Sequence, residues 1–376
     1  MRILHSSDWH IGRALFDYSL LEDQRYFFEQ LYRTVKEQKV DVVVVSGDLY
    51  DRSAPSAEAV ALLDEVFHHL IFDCKVPVLA IAGNHDSPRR IDYGNSLFEA
   101  CGLYLAGSVQ KEIKKVTLQD SYGPVNFFLL PYFVPHEIRL QLEQPELSGF
   151  SQAFQALMEE NRSRFDPSQR NVLLAHGFFM TNRGEASFST SEHAVGPSEL
   201  CDLSPAAEFD YIALGHLHHG QSAGLKQARY SGSPLKYSVS EATQRKEFLL
   251  VDLNEKGSVE ITSLPIQPLR DLCIIKGTVE ELLEQPRHSE DYVFAQLEDD
   301  SPVLHAMNRL RAVYPHILGL SFRQSGKQGE IQRYDAKEEP MEELFLRFYQ
   351  EIYGEDAPEV RRELLHGIID HMEVDA

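Results

Sequence analysis

Five short polar motifs contain residue types that bind metal ions, and each one follows a predicted β-strand. They are Asp8-Trp9-His10, Gly47-Asp48-Leu49-Tyr50-Asp51, Gly83-Asn84-His85-Asp86, His176-Gly177 and Gly215-His216-Leu217-His218. In an α/β sheet the carboxyl ends of the strands form one edge, where ligand and metal sites collect. We therefore expect carboxylate, amide and imidazole groups from these strand ends to converge on one site.

The number and chemistry of these groups favour two adjacent divalent ions over one. A single tetrahedral site needs three or four ligands, whereas a bridged pair needs about seven plus water. Oxygen and nitrogen donors without a thiolate fit Mn²⁺, Fe²⁺ or Zn²⁺ better than Ca²⁺ or Mg²⁺. The candidate ligands are Asp8, His10, Asp48, Asn84, His176, His216 and His218.

Each motif also has a simpler structural explanation. Gly-Asp after a strand is an ordinary turn or helix cap, and a lone histidine such as His176 is often a satisfied strand-end residue. Five such accidents, all at strand ends, are a much poorer explanation than one metal site. We expect the glycines before Asp48, Asn84 and His216 to let the backbone turn sharply off the strand.

The first 265 residues alternate short apolar runs with longer helical patterns, which predicts an α/β layered core. Runs such as Val42–Val45 are apolar without alternation, as expected for strands covered on both faces. Helices are predicted over Leu20–Glu37 and Ala57–Phe72, the second with Val60 on its apolar stripe. The predicted strands are Arg2–His5, Asp41–Val45, Val76–Ala82, Asn126–Leu130, Asn171–Ala175, Asp210–Leu214, Glu247–Leu253 and Ser258–Ser263.

The pattern changes after Pro265 and Pro268. Three short strands with two helices between them predict a small βαβαβ unit of about 55 residues. A charged stretch at 324–340 is predicted to be a linker. Two amphipathic helices follow, Met341–Tyr353 and Val360–Met372, and they must dock on this chain or on a partner because they cannot bury their apolar faces alone.

Length and composition limit the possible classes of protein. A chain of 376 residues with 43% hydrophobic and 25% charged residues is neither disordered nor fibrous, and its length suggests two domains. We expect no membrane span and no signal peptide, because the N-terminus is polar and no apolar run approaches about 20 residues. Four widely spaced cysteines are expected to be free thiols in a reducing cytoplasm.

The net charge of −22 seems at first to oppose a nucleic-acid partner, since phosphate binding requires Lys and Arg. Residues 280–376, however, hold 22 acidic and 10 basic side chains, so over half of the net charge lies there. Divalent ions would also offset the carboxylates of the predicted site. The charge therefore does not exclude DNA, but it makes affinity depend on metals, local basic patches and a partner.

The order Asp-x-His, Gly-Asp, Gly-Asn-His-Asp, His and Gly-His-x-His resembles the calcineurin-like metallophosphoesterases. More closely, the chain is similar to the SbcD family of bacterial double-strand-break repair nucleases. The resemblance covers roughly residues 1–323, with the tail similar in pattern only. It is carried by Met1–Gly12, where Ile11 replaces an expected Leu, and by Ala82–Ser87, Ser231–Pro234, Gly277–Leu283 and Leu310–Pro315.

The resemblance implies a layered αββα metallophosphoesterase core, a small α+β capping domain and a C-terminal helical tail. It implies a nuclease domain at 1–265, a capping and DNA-binding domain at 266–323, a linker at 324–340 and a partner-docking motif at 341–376. One metal ion would be held by Asp8, His10, Asp48 and His218. The other would be held by Asp48, Asn84, His176 and His216, with Asp48 bridging the pair.

The same resemblance implies the chemistry and the partners. The two ions, most often Mn²⁺, would support hydrolysis of DNA phosphodiesters. His85 would stabilise the transition-state charge or protonate the leaving oxygen, and Asp86 would either orient its ring or cap a turn. The implied assembly is a homodimer within a heterotetramer, bound to an SbcC-like coiled-coil ATPase.

Two other function classes compete with a DNA nuclease. A metallophosphoesterase acting on small phosphodiesters or phosphoproteins would use the same site but would need neither the unit after Pro268 nor the tail helices. A non-catalytic scaffold would keep the fold only, and the complete ligand set argues against it. The sequence therefore favours the nuclease.

Overall fold

The structure is a computed structural model that describes residues 1–181, 199–284, 286–288, 290–299 and 303–322, with positions 346, 349, 358, 359, 361 and 362. Residues 1–323 form one compact unit and residues 324–376 another. The predicted linker and, apart from those isolated positions, the predicted tail helices lie outside the described residues. The domain boundaries therefore remain predictions.

Strands and helices alternate along the first unit. The helices are α1 (Leu21–Glu37), α2 (Ala57–His68), α3 (Pro88–Ile91), α4 (Asn95–Phe98), α5 (Pro135–Leu142), α6 (Gly149–Glu160), α7 (Val279–Glu284) and α8 (Ala306–Arg311). The strands are β1 (Arg2–Ser6), β2 (Ala14–Leu15), β3 (Tyr18–Ser19), β4 (Val42–Val45), β5 (Val78–Ile81), β6 (Leu103–Ala106), β7 (Lys114–Asp120), β8 (Gly123–Leu130), β9 (Arg170–His176), β10 (Phe179–Met180), β11 (Cys201–Asp202), β12 (Tyr211–Gly215), β13 (Gln221–Ser222), β14 (Ala228–Tyr230), β15 (Glu247–Leu253), β16 (Val259–Pro265), β17 (Leu272–Gly277), β18 (Tyr292–Leu297) and β19 (Ile317–Phe322).

Two six-stranded sheets form the centre of the molecule. The first has the order β16-β15-β1-β4-β5-β6, in which β1, β4, β5 and β6 are parallel. The second has the order β13-β14-β12-β9-β8-β7, in which β14, β12, β9 and β8 are parallel. The last strands on both edges of the second sheet, and β15 and β16 of the first, run antiparallel to their neighbours.

The sheets pack face to face, and helices cover their outer faces. Val42 and Val44 point into the apolar layer between the sheets, where they join Phe127 and Leu174. Val43 and Val45 point the other way, into the layer that includes residues of α1 and α2. A second outer layer, built partly from α5 and α6, covers the other sheet. The layered αββα core is therefore confirmed, and it explains why these strands lack apolar alternation.

One detail of the predicted helix stripes is wrong. Helix α2 ends at His68, and a π-helical turn (His69–Asp73) continues it. Val60 is 40% exposed, whereas Leu63 and Val66 are buried. The apolar face thus runs through Ala59, Leu62, Leu63 and Val66 and leaves Val60 on the solvent side.

The segment after Pro268 folds as the predicted βαβαβ unit. Strands β17, β18 and β19 form a parallel three-stranded sheet, and α7 and α8 connect them. Val279, Leu282, Val293 and Leu310 belong to a separate apolar cluster of this unit. The unit is attached to α1 through Asp23, whose carboxylate accepts hydrogen bonds from Arg270 and Tyr292.

None of the helices in the described part of the chain is long and apolar enough to cross a membrane.

Truncating a side chain between the two sheets should destabilise the whole core. Phe127 is fully buried there, so we expect Phe127→Ala to lower the free energy of unfolding by about 3–5 kcal/mol. The matched control is Phe72→Ala, because Phe72 is 53% exposed and its loss should cost less than about 1 kcal/mol. Urea unfolding followed by circular dichroism measures both, and equal losses would contradict this packing.

Candidate metal centre

The structure brings all seven predicted ligands to the place where the carboxyl edges of the two sheets meet. Asp8 and His10 follow β1, Asp48 follows β4, and Asn84 follows β5. From the second sheet, His176 is the last residue of β9, while His216 and His218 follow β12. Except for the half-buried Asn84, these side chains are shielded from solvent.

The donor atoms form two groups that share Asp48. In the first group, the Nε2 atoms of His10 and His218 lie 3.2 Å apart, and Asp48 Oδ2 lies 3.5 Å from His10 Nε2. In the second, Asn84 Oδ1 lies 3.0 Å from both His176 Nε2 and His216 Nδ1. Asp48 Oδ2 also lies 3.5 Å from His176 Nε2.

Asp8 is the fourth member of the first group. Its carboxylate accepts the backbone N–H of His216 at 3.0 Å and the hydroxyl of Ser7. Ligand atoms of Asp8, His10 and His218 all lie within 4.8 Å of one another, as do those of Asp8, Asp48 and His176. Because these buried atoms are mostly acceptors that face other acceptors, the donor set fits cations better than it fits hydrogen bonding alone.

Four candidate ligands have a left-handed backbone. The φ angles are 53° at Asp8, 43° at His10, 52° at Asp48 and 105° at His216. Non-glycine residues adopt such angles rarely, and they cluster at functional sites where surrounding structure holds them. The ligands themselves therefore make most of the sharp turns off the strands.

This finding corrects our expectation for the neighbouring glycines. Only Gly47 has a left-handed φ, of 94°, whereas Gly83 and Gly215 do not. A Cβ on Gly83 would lie 2.1 Å from Asp48 Oδ1, and one on Gly215 would lie 2.0 Å from the Ser46 carbonyl oxygen. These two glycines allow close approach of the strand ends rather than a special backbone angle.

Burial and mutual charge set the protonation of the metal-free site. Burial raises the pKa of Asp8, and it lowers that of His10 well below its ordinary value. Burial would also raise the pKa of Asp48, but the charges of His176 and His10 outweigh it and hold that pKa well below its ordinary value. Burial opposes protonation of His176, yet Asp48 and Asp8 raise its pKa to about 9.

The remaining ligand imidazole behaves in the opposite way. Burial, reinforced by the charge of His176, lowers the pKa of His216 to about 3. His216 is therefore neutral at pH 7, with a lone pair available as a ligand requires, whereas His176 must lose a proton before it can bind a cation.

His85 and Asp86 occupy the rim of the site but do not contact each other through their side chains. The His85 Nδ1 atom lies 2.8 Å from the Asp51 carbonyl oxygen, and its backbone N–H donates to Asp48 Oδ1. Asp86 accepts the backbone N–H groups of Leu49, Tyr50 and Gly83. Of the two roles we considered for Asp86, these contacts match turn capping rather than orientation of the His85 ring.

Three residues around the ligands were not recognised from the sequence. The Ser46 carbonyl oxygen lies 2.7 Å from His176 Nδ1, and the Asp51 carbonyl contacts His85. Both flank the Gly47-Asp48 motif, so their position beside it was a usable signal. Glu241 Oε1 lies 3.3 Å from His218 Nδ1, and nothing in the sequence pairs residues 23 positions apart in this way.

Adding one methyl group at Gly83 should disturb the site more than the fold. We expect Gly83→Ala to displace the Asp48 carboxylate and to weaken metal binding by at least about tenfold, because the new Cβ would overlap Asp48 Oδ1. The control is Gly257→Ala, which meets no atom within 4 Å and has a φ of 80°, so it should cost about 1 kcal/mol of stability only.

Mn²⁺ titration calorimetry and thermal unfolding measure both effects. Unchanged affinity in a folded Gly83→Ala protein would contradict the close approach of Gly83 to Asp48.

Comparison with known proteins agrees with this site. Residues 1–220 match the family described as calcineurin-like phosphoesterase, which contains the five motifs. Residues 268–353 match a family described as type 5 capsule protein repressor C-terminal domain. The chain is also 31% identical over 372 residues to the SbcD subunit of the SbcCD nuclease of Staphylococcus epidermidis, and the match covers 98% of each chain.

Solved structures give weaker likenesses. TT1561 of Thermus thermophilus is 12% identical with a TM-score of 0.40, covering 70% of this chain and 98% of that one. A dimetal phosphatase from Danio rerio is 14% identical with a TM-score of 0.38, covering 71% of this chain and 99% of the other. Likenesses at this level add nothing to the assignment.

The family match spans more than half of the chain, and the curated relative matches nearly all of it. Calcineurin-like phosphoesterases are hydrolases that use divalent metals, in keeping with the donor set described above. This chain belongs to the calcineurin-like phosphoesterase family and, within it, to the family of the SbcD subunit of SbcCD nucleases.

Proposed function

We propose that this chain is a Mn²⁺-dependent DNA nuclease subunit that hydrolyses phosphodiesters. Its activities would be 3′–5′ exonuclease action on duplex ends and endonuclease action on single strands and hairpins, in DNA repair and recombination. The observation that carries the proposal is the pair of donor groups sharing Asp48 at the junction of the two sheets. The name of the S. epidermidis relative supports the choice of DNA as substrate.

Two divalent ions fit the donor groups. Asp8, His10, Asp48 and His218 would hold one ion, and Asp48, Asn84, His176 and His216 the other. When bound, such a pair lowers the pKa of water and neutralises charge on the reacting phosphate. We assign Mn²⁺ because the donors are carboxylate, amide and imidazole groups without a thiolate.

His85 is suited to act on the leaving oxygen. Its Nδ1 atom faces the Asp51 carbonyl oxygen at 2.8 Å, so Nδ1 carries the proton and donates it there. The other ring nitrogen, Nε2, would then stabilise charge on the substrate or deliver a proton. Asp86 acts indirectly in this proposal, since it fixes the backbone turn that carries Asn84 and His85.

An open cleft beside the donor groups would admit a nucleic-acid strand. The cleft has a volume of about 570 Å³ and is lined in part by Arg13, Arg52 and His85. Arg13 is paired with Asp51 at 3.0 Å, while the side chain of Arg52 is 69% exposed. Guanidinium groups at this position would meet the phosphates next to the scissile one. Residues 266–323 would cap this surface and add DNA contacts.

The proposed assembly joins two copies of this chain to an SbcC-like coiled-coil ATPase in the cytoplasm. Tyr93 and Leu97 are 80% and 74% exposed on the segment containing α3 and α4, and a second copy would cover them. The predicted helices at 341–376 would bind the base of the coiled coil. Free thiols at the four cysteines support the reducing compartment.

Replacing His85 and Asp48 should separate catalysis from metal binding. We expect His85→Ala to keep two Mn²⁺ ions per chain and to lose roughly 10²–10⁴-fold in cleavage rate. Asp48→Ala should lose both ions and activity, because Asp48 belongs to both donor groups. The control His136→Ala, at an exposed position, should match the parent protein.

The measurements are metal analysis and cleavage of linear duplex DNA, hairpin DNA and a small phosphodiester. Wild-type cleavage rates in His85→Ala would refute the catalytic assignment. Activity on the small diester or on phosphoproteins alone would favour the alternative, a general metallophosphoesterase.

Deleting residues 341–376 should abolish binding of the coiled-coil ATPase but spare Mn²⁺-dependent cleavage of bare DNA. The reason is that the predicted docking helices are removed while all nine candidate site residues stay within residues 8–218. Co-purification with light scattering measures partner binding and stoichiometry, with two copies of each chain expected. Unchanged co-purification would remove the docking role from the tail.

A further inference from the structure

A buried ion pair lies directly behind the candidate ligand His218. The Glu241 side chain is 0% exposed, and the Lys246 ammonium lies 2.6 Å from its Oε2 atom. The other oxygen, Oε1, lies 3.3 Å from His218 Nδ1. A carboxylate buried so completely is costly unless it is paired and hydrogen-bonded, so its contacts indicate what it is for.

Lys246 connects this pair to the backbone on either side. Its ammonium donates to the His218 carbonyl oxygen at 2.9 Å, to the Ser233 hydroxyl at 2.9 Å and to Gln244 at 2.9 Å. The positive charge of Lys246 and the contact with His218 hold the pKa of Glu241 well below its ordinary value, against the effect of burial. The group facing the imidazole is therefore a carboxylate rather than a carboxylic acid.

An ionised carboxylate can only accept, so the Nδ1 atom of His218 must carry the proton. The neutral ring then presents its lone pair at Nε2, the atom that faces His10 Nε2 at 3.2 Å. Carboxylates that hold the second nitrogen of a ligating histidine fix its orientation and make it a stronger ligand. At the candidate ligand His176, the equivalent nitrogen instead faces a backbone carbonyl, that of Ser46.

The segment Ser231-Gly232-Ser233 joins this assembly to a second ligand of the same group. The Ser231 hydroxyl lies 2.7 Å from that of Ser7, which in turn bonds to the Asp8 carboxylate. Gly232 has a φ of 75°, and a Cβ there would lie 2.7 Å from the His218 carbonyl oxygen. One short segment thus packs behind both Asp8 and His218, two of the ligands assigned to the first donor group alone.

We propose that Glu241, with Lys246 as its counter-ion, is a positioning residue that sets the tautomer and strength of His218 as a metal ligand. Its effect is confined to the ion held by Asp8, His10, Asp48 and His218. The inference rests on the two-metal site of the proposed function but not on DNA being the substrate.

The test replaces the pair as a unit, so that no unpaired buried charge remains. Glu241→Leu with Lys246→Met removes both the charge and the acceptor, whereas Glu241→Gln with Lys246→Met keeps an acceptor oxygen. Asp120→Asn is the stability control, because Asp120 pairs with the buried Arg170 at the second sheet's edge hairpin. Mn²⁺ calorimetry, metal content after gel filtration and the melting temperature of the metal-free protein are recorded for each.

The parent protein is expected to bind two ions. The Leu/Met double variant should keep one at parental affinity and bind the other about 10–100-fold more weakly. The Gln/Met variant should recover most of that loss, and Asp120→Asn should lower the melting temperature without weakening either ion.

The inference is overturned if the folded Leu/Met variant binds both ions as the parent does. It is also overturned if both ions weaken equally, if Asp120→Asn reproduces the loss, or if the parent binds fewer than two ions. A parent that binds two ions but does not cut DNA would refute the nuclease proposal and leave this one intact, because the readout is metal affinity.

Discussion

The structure depends on holding two buried carboxylates, Asp8 and Asp48, among imidazoles at a place that water does not reach. Burial of ionised groups is costly and is tolerated only with charge partners and hydrogen bonds. The strands provide both, since parallel pairing of β1 with β4 and of β9 with β12 brings their polar ends to one edge. The large apolar layers on both sides of each sheet offset the cost of that polar edge.

The loops that leave the strands are tied to one another rather than left to the solvent. The backbone N–H of Asp8 donates to the Gly47 carbonyl at 3.0 Å, and that of His10 donates to Asp48 at 3.0 Å. Hydrogen bonding between β1 and β4 therefore continues past both strands into the ligand loops. These bonds explain how left-handed backbone angles at three consecutive ligands along the chain, Asp8, His10 and Asp48, are sustained.

Much of the fold and the meeting of the seven candidate ligands could be predicted from the sequence, because apolar strands such as Val42–Val45 are easy to recognise and parallel strands share an edge. Strand β7, at Lys114–Asp120, was not predicted, since its burial is mixed and its sequence is polar for a strand. Val60 was misplaced because an apolar residue beside a stripe looks like part of it.

Second neighbours of the ligands were harder to foresee. Asp86 could be assigned to a turn only when its three backbone partners were visible. Glu241 reaches His218 because of the path that the chain takes after β14, and no local pattern encodes that path. Such contacts depend on tertiary packing, whereas the ligands themselves depend only on strand order.

Trp9 lies between Asp8 and His10 in the chain and is the only tryptophan in the protein. It is 1% exposed, its indole N–H donates to the Ser6 hydroxyl at 2.9 Å, and its ring lies 5.0 Å from that of Phe28 in an edge-on arrangement. Any indole emission from this protein therefore originates in the loop that carries two candidate ligands. The molecule contains its own optical reporter for that loop, and events elsewhere in the chain register only insofar as they reach it.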